Sequence, residues 1–147
     1  LKPPFTFYVK MENHFCSPES FKVHGLTKEF LEENGKPPKD CLKDILDYVR
    51  EFCNLGYNII PAGQSVEIFD RPIFEKFCID NDYTIYKEFS RRNQVLDSLT
   101  MFFFPDENPS LSPSLRRFGL KQEHPHCAEK DILLCIQLFK HYRQYFA

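Results

Sequence analysis

"YNIIPAG", residues 57–63, is followed by a turn and then by "DRPIFEKFCID", residues 70–80. The first run is short and wholly apolar, as in strands buried in the middle of a sheet. The second reads as a helix. A buried strand feeding a helix is the step from which α/β folds of two or three layers are built.

The flanking sequence repeats that alternation. Upstream, "FTFYVK" at 5–10 is aromatic and β-branched with rough alternation, and predicts a strand. "ENHFCSPES" at 12–20 reads as a loop. A short helix is expected from Thr27 to Asn34, with Gly35 as its stop. "KPPKD" opens a second helix, since proline is tolerated in a first turn. Leu42, Ile45, Leu46, Val49 and Cys53 follow its helical spacing, and Gly56 ends it.

Downstream, residues 83–89 suggest a strand and "QVLDSLTMFFF" (94–104) another apolar segment. "PDENPSLSPS" (105–114) is a proline- and serine-rich loop of the length that often frames a site. "PSLRRFGL" predicts a short helix. A long final helix follows in "CAEKDILLCIQLFKHYRQYF", where Ala128, Asp131, Cys135, Leu138 and Tyr142 share a face.

With 147 residues the chain is expected to form a single domain, 1–147, large enough to bury a core. Hydrophobic content of 42%, with 16 Phe and 7 Tyr, argues against disorder. The formal net charge of -2 supplies no overall positive field for nucleic acid or acidic membranes. A carboxylate site, however, brings its own metal cations. No apolar run approaches the ~20 residues needed to span a bilayer, and nothing resembles a secretory signal. The six cysteines form no C-x-x-C pair, so buried reduced thiols and an intracellular location, cytoplasm or nucleus, are expected. The start at Leu1 rather than at methionine suggests a fragment.

Asp70 stands after the apolar strand, where ligands bind at the carboxyl ends of α/β sheets. It equally suits the cap of the helix it opens. In "EHPHCAEKD" (123–131), His126 and Asp131 would look into one cleft if the imidazole lay just ahead of the helix. A carboxylate holding metal beside a group titrating near neutrality is a hydrolytic pair. The alternative is a polar helix start, with Glu129 and Asp131 at the positive end of the dipole. Asp131 lies on the apolar stripe, where an unpaired carboxylate is costly. A zinc site from His124, His126, Cys127 and Cys135 or Glu123 competes, though H-x-H-C matches none of the usual two-plus-two ligand frameworks. Asp97, in an apolar run, would either join a site or cap the next segment. Arg116 and Arg117 suit phosphate or a solvated helix face.

Taken in order, "HGLT", "YNIIPAGQSVEIFDRPIF", "QVLDSLTMFFF", "SLRRFGL" and "HPHCAEKDILLCIQLF" resemble the DEDDh 3'–5' exonucleases. These are DnaQ-like proteins of ribonuclease-H-like fold, and the spacing is nearest to the three-prime repair exonuclease branch. The resemblance covers nearly the whole chain. It aligns "QSVEIFDRP" with a motif written H-N-G-x-x-Y-D-x-P and meets H-x-A-x-x-D with His126, Ala128 and Asp131. It implies a mixed central sheet flanked by helices and two bound Mg²⁺ or Mn²⁺ ions. Asp70 and Asp131 would be metal ligands, His126 the base on the attacking water, and Leu26 a contact for the terminal nucleotide. The substrate implied is a single-stranded or 3'-terminal stretch of DNA or RNA.

Two departures stand out. The family's first motif, D-x-E, is absent, as if the N-terminal strands were missing; "KME" (Lys10–Glu12) has lysine where the aspartate would be. Gln64 and Ser65 replace the usual His-Asn. With about half of the ligand charge gone, the chain alone is expected to bind hard cations poorly and to be inactive. A nuclease-like fold used only for binding is the alternative.

Overall fold

The computed structural model describes residues 6–11, 16–54, 59–84, 95–101, 110–123 and 126–146. The protein is α/β, with two small parallel sheets among many helices. It divides into two compact units, Leu1–Tyr57 and Asn58–Ala147.

In the first unit β1 (Tyr8–Val9) lies within the strand expected at 5–10. Helix α1 (Pro18–His24) occupies sequence read in part as loop. Ser17 caps it, its Oγ accepting from the Ser20 N–H at 3.2 Å, and Pro18 sits in its first turn. It buries no residue, so it leaves no apolar period to read. Helix α2 (Lys28–Asn34) is capped by Thr27, whose Oγ1 accepts from Phe30 N–H at 3.1 Å.

Gly35 ends α2 with extended backbone (φ -83°, ψ 150°) and runs directly into β2 (Gly35–Lys36). Tyr8 pairs with Gly35 and Val9 with Lys36, in parallel. The glycine is required by space: a Cβ there would strike the Leu31 carbonyl oxygen and lie 2.9 Å from Lys10 N. Both neighbours are backbone and cannot swing aside. Gly35→Ala is therefore expected to lower stability by about 1–3 kcal/mol in a urea melt. Helix α3 (Pro38–Asn54) buries Cys41, Leu42 and Leu46 on one face, as its spacing predicts.

In the second unit β3 (Ala62–Gly63) pairs in parallel with β4 (Leu96–Asp97), in the register Ala62–Leu96 and Gly63–Asp97. The run at 57–63 was expected to lie in mid-sheet. Residues 57–58 fall outside the described set, and Ile60 is 47% exposed. Among the described residues β3 has one neighbouring strand, β4. The mixed central sheet expected from the resemblance is not among them either.

Helix α4 (Asp70–Asp80) spans the residues predicted for it. Helix α5 (Ser98–Met101) follows β4 directly. The strand expected at 83–89 falls almost wholly outside the described residues, as do Gly56 and 102–109. Helix α6 (Leu111–Arg117) begins two residues ahead of its predicted start, and α7 (Ala128–Phe146) is the long terminal helix. Leu115 of α6 and Leu138 of α7 are fully buried against each other's surroundings, ringed by Leu111, Phe118, Leu120, Leu134 and Tyr142. Cys135 is also buried, but Ala128, placed on that stripe by the sequence, is exposed as the first residue of α7.

Candidate functional site

The candidate site of the second unit forms at the carboxyl ends of β3 and β4, where parallel strands release the chain into loops and helix starts. After Gly63 the chain turns sharply through residues 65–69. Ile68 and Phe69 N–H both donate to Ser65 O, at 3.2 and 3.0 Å, and Arg71 N–H donates to Val66 O at 2.9 Å. Ser65 has a left-handed backbone (φ 58°). Serine is strained there, whereas asparagine tolerates that region. Ser65→Asn is expected to add about 0.5–1 kcal/mol, read as a higher melting temperature.

Two polar side chains from β4 and α5 hold this turn. Asp97 is 5% exposed; its Oδ1 accepts from Ser65 N–H at 2.9 Å and its Oδ2 from Glu67 N–H at 3.4 Å. Those partners lie 32 and 30 residues earlier in the chain, so Asp97 joins the site by holding backbone. Ser98 is fully buried and donates to Gly63 O at 3.3 Å and to the Gln64 side-chain oxygen. Arg71 links the turn to α4, with Nη1 on both Glu67 oxygens and Nε on Glu75 Oε1 at 3.0 Å.

The turn delivers Asp70. Phe69 occupies the cap position of α4 and Asp70 is the first helical residue, so the capping role open to it in the sequence belongs to its neighbour's place. Asp70 as a residue is exposed, but its carboxyl faces protein. Burial first, then the Asp97 carboxylate, push its pKa above the usual carboxylate range, against a lowering by its own backbone N–H.

Asp131 lies half-buried in the first turn of α7, with its N–H donating to Cys127 O at 2.9 Å. Gln122 ties it to α6: Nε2 donates to Asp131 Oδ1 at 2.6 Å, and Oε1 accepts from Ser112 Oγ at 2.5 Å. Cys135, one turn further along α7, registers the convergence of these groups. Its thiol pKa is raised by burial and then by the Asp131, Asp70 and Asp97 carboxylates, and lowered by the Gln64 backbone N–H. The three carboxylates thus all act electrostatically on one thiol, and α7 packs against β3 and α5.

His126 stands two residues ahead of α7, exposed and in left-handed backbone (φ 67°). That is the position required for it to share a cleft with a carboxylate one turn into the helix. Leu26 belongs to the first unit, where its N–H donates to His24 Nδ1 at 3.0 Å. Arg116 and Arg117 are exposed at the end of α6.

The donor chemistry of Asp70 and Asp131 suits a hard divalent cation, but the number falls short. Among the described residues no three His, Cys, Asp or Glu side chains are placed to hold a metal ion together. That covers the zinc alternative too, apart from His124, which lies outside the described residues. Of the cysteines expected to be buried, Cys41, Cys78 and Cys135 are, while Cys16 and Cys127 are half-buried. Among the described residues no helix is long and apolar enough to cross a membrane.

Ser98 and Gln122 escaped the sequence reading, and Gln64 was noted only as a departure from the family's motif. Their roles come from partners 9 to 35 residues away, which no local pattern reveals. Comparison with known proteins identifies no relative: no family model matches the chain and no curated protein matches it.

Proposed function

We propose that Asn58–Ala147 carries part of a 3'–5' exonuclease-type site of ribonuclease-H-like architecture, acting on 3'-terminal phosphodiesters of DNA or RNA. The observation that carries the reading is the packing of α7, which holds Asp131, against β3, whose carboxyl end leads through the 65–69 turn to Asp70. Asp70 and Asp131 would hold the metal, and His126, just ahead of α7, would take the proton of the attacking water. Bound Mg²⁺ or Mn²⁺ would supply Lewis-acid activation of water and charge for the leaving oxygen.

No D-x-E pair occurs in these 147 residues, and among the described residues no three His, Cys, Asp or Glu side chains are placed to hold a metal ion together. That shortfall favours a second reading, a nuclease-like module that binds nucleic acid or protein without cleaving. One assay separates the two. Full-length protein with Mg²⁺ or Mn²⁺ is expected to shorten 3'-labelled single-stranded DNA or RNA, and EDTA or Asp131→Ala to stop it. Binding without shortening, indifferent to EDTA, would establish the second reading; shortening that survives Asp131→Ala would sink the first.

A further inference from the structure

Asp70, Asp97 and Asp131 all bear electrostatically on Cys135, yet they are not equivalent. Asp70 is exposed at a helix start and Asp131 is half-buried with one oxygen held by Gln122. Asp97 is the most enclosed, and each of its oxygens accepts a backbone N–H from the 65–69 turn. A carboxylate so engaged has little left to offer a cation, which demands oxygen lone pairs at close range.

We infer that Asp97 is a positioning residue and not a metal ligand: its carboxylate clamps the Ser65 and Glu67 N–H groups and so fixes the turn that places Asp70. The clamp is braced from both sides. Ser98, its chain neighbour, pins Gly63 and Gln64 at the start of the turn. Arg71 ties Glu67, one of the clamped residues, to α4 through Glu75. Gln64 thereby acquires a place: its side chain receives Ser98 and its backbone N–H reaches Cys135. Ser65 accepts left-handed backbone because that conformation aims its N–H at Asp97. The catalytic half of this inference rests on reading Asp70 as a metal-binding carboxylate; the clamp itself does not.

The test is Asp97→Asn in the full-length protein, with Ser98→Ala as a comparison that leaves the carboxylate in place. Asparagine keeps the shape but offers Nδ2 where one backbone N–H needs an acceptor. The Ser65 and Glu67 amides are expected to exchange hydrogen about ten- to a hundredfold faster in Asp97→Asn, as befits loss of hydrogen bonds to a charged acceptor. Mn²⁺-dependent shortening is expected to lose kcat with KM little changed.

Unchanged exchange at Ser65 and Glu67 would overturn the clamp. Faster exchange with wild-type kcat would overturn the positioning role. If the wild-type protein shortens no substrate, the exonuclease reading falls, while hydrogen exchange at Ser65 and Glu67 still decides the clamp. Should Asp97→Asn not fold, the wild-type protein decides: the Ser65 and Glu67 amide protons must shift together as one carboxylate takes up its proton. Independent behaviour of those two amides would refute the clamp.

Discussion

Replacing His126 with asparagine is expected to slow 3' shortening by the full-length protein about 10²–10⁴-fold, the range for loss of a general base, while its melting temperature stays close to that of the wild type. The two halves of this result have separate causes. His126 occupies left-handed backbone ahead of α7, a region that histidine and asparagine both enter more readily than most residues. Asparagine therefore keeps the approach to the helix and removes only the imidazole. Alanine has no such tolerance and would mix strain at φ 67° with loss of the base. A rate that falls alike in both variants, with the melt lowered only in alanine, assigns the imidazole a chemical role. Equal rates in wild type and His126→Asn would remove His126 from the reaction, as the non-cleaving reading requires.

Leu138→Ala is expected to cost about 2–5 kcal/mol, measured by chemical denaturation. Leu138 is 0% exposed and faces Leu115, which is 1% exposed; these two form the centre of the packing between α6 and α7. Truncation removes buried apolar surface and leaves a void that the rim of Leu111, Phe118 and Leu134 only partly fills. The contrast is Ile132→Ala on the same helix. Ile132 is 52% exposed, and its loss should shift stability little.

Helices were the legible part of this fold. Helix α4 is readable from residues 70–80 alone, and α2, α3 and α7 from apolar period and capping chemistry. The strands were legible in part: β1 and β3 fall within the runs read as strands at 5–10 and 57–63, whereas β2 and β4 were not read as strands. Each is two residues long, and pairing over so short a span leaves no alternation to read. Gly35 was legible as a stop but not as a strand residue; its extended backbone and the crowding by Leu31 and Lys10 arise only from pairing with β1. In the site, Asp70 and Asp131 were legible as carboxylates at helix starts. The alternatives for Asp97, joining a site or capping, both missed its engagement with a turn some thirty residues upstream.

Helix α7 carries Asp131 in its first turn and Leu138 in the core, seven residues and so about 10 Å apart along one axis. One rod is thus anchored deep at Cys135 and Leu138 and carries Asp131 at its amino end. Helix ends open at a far smaller free-energy cost than cores. On warming, the first turn of α7 should loosen, and Asp131 with it, while Leu138 still holds the helix in place. The working temperature range of the site is then narrower than that of the fold, and the Gln122 bridge to α6 is what widens it.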